Sequence, residues 1–346
     1  MKDESSFEVN RQQTSLNVKQ TSLNVNCVAT IGSFDGVHRG HQCLLKQVRH
    51  IADELEGKAL AITFGTSPKK VLGMIDAPQL TTIDERTTLL RQSGMDEVVL
   101  LDFTPEMGAM TARDFMQQVL KEQLHVAVLV IGYDHRFGRG RTEGFDDYVR
   151  YGREIGIEVI RGEACIDHGE PISSTRIRHL LNEGKVDEAT LLLGHRYALY
   201  GEVVDGYKEG RKIGFPTANI HPVCPNKLIP ADGVYAVYVN VGFNENEDEK
   251  NCQSSTVKRS SLAEGKSNCQ FKGMLNIGYR PTLNNGRERS IEVHILDFEG
   301  DLYGKSIKVE FAHRLRDERT FSNLGELTEQ LRKDQEKVRE LLTAKE

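Results

Sequence analysis

No apolar run in this chain approaches the roughly 20 residues that a helix needs to cross a bilayer. The opening residues, Met1-Lys2-Asp3-Glu4-Ser5-Ser6, lack both the basic start and the apolar stretch of a secretory signal. An excess of positive charge is missing as well. Against 51 Asp and Glu there are 45 Lys and Arg, and the net charge of −6 gives no support to nucleic acid or an anionic membrane as a main partner. The cysteines (Cys27, Cys43, Cys165, Cys224, Cys252 and Cys269) include no C-x-x-C pair. That speaks against a zinc site or a disulfide framework and for a reducing, cytoplasmic setting. A Walker-type phosphate loop is also absent. Gly304-Lys305-Ser306 and Gly265-Lys266-Ser267 end like one, but the first glycine it requires would fall at Glu299 and Ser260. What remains is the composition of a soluble globular protein, whose 346 residues suit two domains.

Residues 1 to about 24 are polar and carry one hexapeptide repeat, Gln13–Val18 recurring at Gln20–Val25, which reads as a disordered tail. From 25 to 194 the pattern alternates. Strands are expected at Cys27–Ile31, Lys58–Phe64, Glu97–Phe103, Val126–Ile131 and Ile157–Ile160. Helices are expected between them at His41–Glu54, Asp84–Ser93, Ala112–Glu122 and Phe145–Ile155. This order predicts an α/β domain with a doubly wound parallel sheet. From 195 to 346 the character changes. Short strands at Val203–Val204, Val234–Val241, Gly273–Ile277, Ile291–Phe298 and Ile307–Phe311, joined by Gly, Pro and Asn turns, predict an antiparallel β-barrel. A polar insert at 243–270 reads as a long mobile hairpin, with Cys252 and Cys269 as free thiols. From Asn323 onward, Leu324, Leu327, Leu331, Val338 and Leu341 mark an amphipathic terminal helix.

The most telling stretch is Gly32-Ser33-Phe34-Asp35-Gly36-Val37-His38-Arg39-Gly40-His41, at the end of the first expected strand. A strand that runs through glycines into a helix start makes a phosphate-binding corner, because backbone and free N–H groups can approach an anion. His38 and His41 add imidazoles that can face a phosphoryl group as charge develops on it. The plainer alternative is two polar residues on a helix's first turn. The loop Gly132-Tyr133-Asp134-His135-Arg136-Phe137-Gly138-Arg139-Gly140-Arg141 also follows a strand and can face the same crevice. Ser173-Ser174-Thr175-Arg176-Ile177-Arg178 marks a helix start whose hydroxyls and arginines suit a polyphosphate; the alternative is a plain N-cap with solvated arginines.

In the second half, Gly206, Gly210 and Gly214 precede Phe215-Pro216-Thr217-Ala218-Asn219. Such glycines can form a flap over phosphates, and the Thr217 hydroxyl and Asn219 amide are hard oxygen ligands suited to Mg²⁺. Alternation puts Glu292 and His294 on one strand face, where Glu292 could act as general base on an alcohol. A solvent-facing polar side of an edge strand is the competing reading.

Taken in order, these motifs resemble the bacterial bifunctional riboflavin kinase/FMN adenylyltransferase (FAD synthetase) family over about residues 25–340. The first half carries Gly-x-Phe-Asp-Gly-Val-His-x-Gly-His, a Gly-Tyr-Asp-x-Arg-Phe-Gly loop and a Ser-Ser-Thr-x-Ile-Arg helix start. The second carries Gly-Phe-Pro-Thr-Ala-Asn, Asn276-Ile277-Gly278-Tyr279-Arg280-Pro281-Thr282, Glu292-Val293-His294 and Leu302-Tyr303-Gly304-Lys305.

The resemblance implies an adenylyltransferase domain at 25–194 and a riboflavin kinase domain at 195–346, with riboflavin, FMN, FAD and ATP as the small-molecule partners and Mg²⁺ accompanying ATP. Glu292 would deprotonate the ribityl hydroxyl, with Thr217 and Asn219 at the metal and Gly210 and Gly214 over the phosphates. His38 and His41 would act in adenylyl transfer, with Gly32, Phe34, Asp35, Gly36, Gly40, Ser174, Thr175 and Arg178 around ATP. Asp134, Arg136, Asn276, Arg280 and Arg316 would contact flavin. Three positions depart from the family pattern: Ser67 stands for a histidine, Lys69 for an arginine and His135 for a phenylalanine. They keep open a kinase whose first domain turns over poorly, beside a non-catalytic flavin-binding regulator that kept the fold.

Overall fold

The computed structural model describes residues 27–75, 77–167, 169–206, 209–242, 270–281 and 287–342. The expected tail at 1–24 and, apart from Gln270, the insert at 243–270 with its Cys252 and Cys269 lie outside the described residues.

The first half is a five-stranded parallel sheet of β1 (Cys27–Ile31), β2 (Lys58–Phe64), β3 (Glu97–Leu101), β4 (Val128–Ile131) and β5 (Glu158–Arg161). The strand order is β3-β2-β1-β4-β5. Central β1 is buried along its whole length, as a strand covered on both faces must be. Its alternation divides two cores. Cys27, Ala29 and Ile31 face Phe115, Met116 and Leu120, whereas Val28 faces Leu45, Val48 and Ile51. The chain winds outward from β1 to β3 and then returns to lay β4 on β1's other side. The gap between the ends of β1 and β4 is therefore the topological switch point, where a crevice opens in sheets of this kind.

A two-stranded ribbon, β6 (Ile166–Asp167) with β7 (Glu170–Pro171), leads to helices Ser174–Asn182 and Val186–Leu193. The second half is a closed antiparallel barrel of β8 (Ala198–Val204), β9 (Ala218–Pro222), β10 (Gly233–Val241), β11 (Gln270–Pro281), β12 (Arg287–Ile295) and β13 (Ser306–Arg316). Its order around the barrel is β10-β11-β12-β9-β8-β13. Inward residues such as Leu199, Ile220, Val237, Leu275, Val293 and Phe311 join the helix residues Ile177, Leu181 and Leu193 in one continuous core.

The fold class agrees with the sequence expectation, and the differences have physical reasons. Strand β9 was not expected, because Ala218-Asn219-Ile220-His221-Pro222 is too short and polar to announce itself. Its pairing comes from β8 and β12 on either side. Strands β8, β11 and β13 run longer than their apolar segments for the same reason, since barrel closure supplies hydrogen-bond partners beyond the hydrophobic run. The helix expected at Ala112–Glu122 is α-helical only to Phe115 and continues as a π-helix over Met116–Gln123.

The terminal helix Leu324–Leu341 lies on the outside of the barrel, where Val338, Leu331 and Leu342 cover Phe215, Met274, Leu296 and Ala312. Leu324, expected on its apolar face, is exposed. A buried ion pair fastens this helix. The Arg316 guanidinium donates from Nε (2.9 Å) and reaches from its second nitrogen (2.8 Å) to one Asp334 oxygen, and Gln330 donates to the other at 2.7 Å. Breaking such a pair strands a charge and costs on the order of 3 kcal/mol. Asp334→Ala is therefore expected to lower the denaturant midpoint by that equivalent without changing the m-value, as read by urea unfolding.

Candidate active sites

The first site is built on the turn that follows β1. Phe34 (φ 46), Gly36 (φ 83) and Val37 (φ 37) all adopt left-handed backbone, which a β-branched valine resists. The Asp35 carboxylate holds this turn. It accepts from Leu80 N with each oxygen at 3.0 Å, from Thr81 N at 3.0 Å and from Thr81 Oγ1 at 3.1 Å, and it pairs with Arg178. Gly36 N donates to Thr81 Oγ1 at 3.0 Å, Ser174 Oγ donates to the Asp35 carbonyl at 2.9 Å, and His195 Nε2 lies 3.0 Å from the Gly36 carbonyl. Phe34 and Val37 fill the core beneath. Asp35, Ser174 and Arg178 thus all contribute hydrogen bonds that shape the turn. Arg178 also donates from Nε to the Pro78 carbonyl at 2.8 Å.

This turn delivers two histidines to the switch point. His38 caps the helix Arg39–Glu54, its Nδ1 accepting from His41 N at 3.3 Å. That bond leaves the proton on His38 Nε2. The two rings stack at 3.6 Å between centroids. Gly40 is required between them. A Cβ there would stand 3.0 Å from the Ile172 carbonyl and 3.1 Å from the His38 ring.

Burial pushes the His38 imidazolium down to about 4 and holds His41 well below its ordinary range. Both are therefore neutral at pH 7 and act as fixed hydrogen-bonding dipoles rather than cations. His135, from the loop after β4, is likewise pushed to about 4 by burial. His41 Nδ1 and His135 Nε2 are both buried without a protein partner. Thr175, Asp134 and Arg136 are exposed around the crevice, and Gly32 ends β1 against the Phe34 ring. Ser67 is half-buried after β2 at the start of the short helix Pro68–Val71, next to the exposed Lys69.

The second site lies on the outer face of the barrel. Register places Asn276 of β11, Glu292 of β12 and Asn219 of β9 opposite one another in a single row. Directly paired residues share a sheet face, so these three side chains stand together while Ile291 and Val293 point into the core. Thr217 Oγ1 donates to Glu292 Oε2 at 3.2 Å. The preceding segment folds tightly over this row. A Cβ on Gly206 would fall 1.9 Å from Asn219 Nδ2, and one on Gly210 would fall 2.2 Å from the Phe215 carbonyl.

His294, expected as a partner of Glu292, instead sits 2.8 Å by Nδ1 from the Pro216 carbonyl and edge-on to Phe215. It braces the loop, and burial lowers its pKa. Arg316 is committed to Asp334, and the Arg280 side chain lies outside the described residues. No cluster of three or more His, Cys, Asp or Glu among the described residues could hold a metal ion. The Thr217 hydroxyl and Asn219 amide are nevertheless hard oxygens that fit a Mg²⁺ ligated mainly by phosphates.

Three residues that hold the first turn escaped the sequence reading: Leu80, Thr81 and His195. Only the adjoining Thr82-x-x-Glu85 carried a local signal, a capping box in which Thr82 N donates to Glu85 Oε2 at 2.7 Å.

A family model described as FAD synthetase matches residues 20–176 and one described as riboflavin kinase matches residues 193–342. The bifunctional riboflavin kinase/FMN adenylyltransferase of Escherichia coli (strain K12) is 35% identical over 315 residues, 91% of this chain and 92% of that protein. The protein of the same name from Listeria monocytogenes is 33% identical over 319 residues, with coverage of 91% and 92%. Among solved structures, a crystal structure of a macrolide-efflux protein from Streptococcus pneumoniae superposes with a TM-score of 0.77 at 30% identity, covering 92% of this chain and 96% of that one. No helix among the described residues is long and apolar enough to cross a membrane.

The buried histidines have a consequence for acid stability. An unfolded histidine takes up its proton near 6.5, whereas folded His38 and His135 do so only near 4. Their burial is thus fully tolerated above about 6.5 and opposes folding increasingly as pH falls toward 4, by roughly 3 kcal/mol for His38 alone at the lower end. Thermal unfolding followed from pH 7 to 4.5 should show a falling Tm. His135→Phe, which removes one of these titrations, should flatten that fall.

Proposed function

We propose, for a chain that belongs to the bifunctional riboflavin kinase/FMN adenylyltransferase family, that the barrel half carries the kinase step and the sheet half the adenylyl transfer. The chain phosphorylates riboflavin to FMN and adenylylates FMN to FAD. We assign the two steps to residues 195–346 and 25–194. The free Cys27, Cys43, Cys165 and Cys224 support a reducing cytoplasm as the setting.

The observation that carries the kinase assignment is the Asn276–Glu292–Asn219 row with Thr217 bonded to Glu292. Glu292 accepts the proton of the ribityl 5′-hydroxyl as that oxygen attacks the γ-phosphorus of ATP and ADP departs. The Thr217 hydrogen bond orients the carboxylate. Thr217 and Asn219 would hold Mg²⁺, which when bound neutralises charge on the phosphates. The glycine segment, close-packed at Gly210 and left-handed at Gly214, covers those phosphates, and Asn276 and Arg280 take the flavin. Arg316 serves by anchoring the helix Leu324–Leu341 through Asp334.

For the second step, a phosphate oxygen of FMN attacks the α-phosphorus of a second ATP and pyrophosphate leaves. The stacked, neutral His38–His41 pair supports this reading. His38 Nε2–H donates to the transferring phosphoryl group, and the attacking phosphate oxygen has no proton to be removed, so catalysis rests on positioning and fixed dipoles. Gly32, Gly36 and Gly40 keep the backbone close, Thr175 reaches the phosphates, and Asp134 and Arg136 hold the flavin. Phe34, Asp35, Ser174 and Arg178 hold the turn in shape.

Purified protein given riboflavin, ATP and Mg²⁺ should yield both FMN and FAD by fluorescence-detected chromatography. Glu292→Gln is expected to cut riboflavin phosphorylation by about 100-fold or more, while FAD formation from supplied FMN persists. Phosphorylation at the wild-type rate would remove Glu292 as the base. His41→Asn should do the reverse, reducing FAD formation by about 100-fold with phosphorylation intact.

A further inference from the structure

The turn that carries His38 is held mainly by residues of its own half, with His195 at the boundary bonded to Gly36, but the chain of contacts does not end there. Lys227 lies between β9 and β10 in the barrel half and is 6% exposed. Its ammonium donates to the Leu80 carbonyl at 2.7 Å and to Glu85, itself 9% exposed. The backbones on either side are stitched together as well. Gln79 N donates to the Asn226 carbonyl and Leu228 N to the Gln79 carbonyl, each at 2.8 Å. Tyr197 packs its ring 4.8 Å under the Lys227 ammonium and donates its hydroxyl to the Leu228 carbonyl.

The peptide units at Leu80 and Thr81 are thus bonded on two sides. Their N–H groups donate to Asp35, inside the His38 turn, and the Leu80 carbonyl accepts from Lys227, across the boundary between the halves. Two ion pairs, the half-buried Asp35–Arg178 and the buried Glu85–Lys227, face each other through this short segment. A turn with left-handed Phe34 and Val37 keeps its shape only while its surroundings over-determine it.

We propose that Lys227, a barrel residue, is a positioning residue for adenylyl transfer, acting through Leu80, Thr81 and Asp35 on the turn that carries His38. The inference rests on the assignment of adenylyl transfer to the His38–His41 site. It makes the first half's chemistry dependent on the second half's backbone, while the Asn276–Glu292–Asn219 row and Thr217 share no hydrogen-bond partner with Lys227.

The test uses the full-length chain and measures both reactions on each variant, with kcat and KM separated. Lys227→Met alone leaves the Glu85 carboxylate buried without its cation and may be read only beside the double variant Lys227→Met/Glu85→Gln. That double variant removes both charges but still leaves the Leu80 carbonyl without its donor. The expected result is a fall of about tenfold or more in kcat for FAD formation in the double variant, with riboflavin phosphorylation within about twofold of wild type. A purely structural ion pair predicts the opposite, recovery of FAD formation once both charges are gone, and that result would overturn the proposal. So would a proportional loss of both activities with the folded fraction measured by thermal unfolding. His41→Asn run in parallel separates the two readings. If it abolishes FAD formation while the double variant does not, Lys227 loses its role and the site assignment stands. If His41→Asn leaves FAD formation intact, the site assignment itself fails and the proposal falls with it.

Discussion

One carboxylate, that of Asp35, organises the first half. It sits inside a turn whose φ angles are unfavourable at two non-glycine residues, and it satisfies backbone donors of a segment 45 residues away. A buried charge is tolerated only when it is fully paired, and here Arg178 and Thr81 complete the set. From this follow the direction of the Arg39–Glu54 helix, the stacking of His38 on His41, and the closeness of the helix start at Ser174. Arg178 and Ser174 each give a hydrogen bond to the framework that makes the corner rigid.

On the proposed assignment, the two sites solve the same electrostatic problem by different means. In the sheet half, burial strips the histidines of charge, and neutral dipoles are held where a phosphoryl group would sit. In the barrel half, a carboxylate stands on the outer face among polar neighbours, where it can take up a proton. An attacking alcohol has a proton to give away, whereas an attacking phosphate has none. The difference between a base and a pair of fixed donors matches that difference in nucleophile.

Much of this was legible in the chain itself. Alternating apolar runs and helical patterns identified all five parallel strands, and the glycine-histidine corner identified the loop at the end of β1. Local sequence also contained Thr217, Asn219 and Glu292. It did not contain their meeting, because Asn219 lies on a strand too polar to be recognised and joins Glu292 only through register between β9 and β12. His294 shows the converse. Its alternation with Glu292 was read correctly, but its ring turns to the Pro216 carbonyl, a contact no spacing rule anticipates.

The sequence by itself determined the two architectures, the order of the motifs and the residue types available for phosphate chemistry, since periodicity and glycine placement are local properties of the chain. Tertiary structure alone decided which of those residues remain open to a substrate and which are consumed in holding the site. Arg178 goes to Asp35, Arg316 to Asp334 and Lys227 to Leu80 and Glu85. The physical reason is that a buried charge must find its partner wherever the fold brings one. Those partners lie from 18 to 147 residues away in the chain.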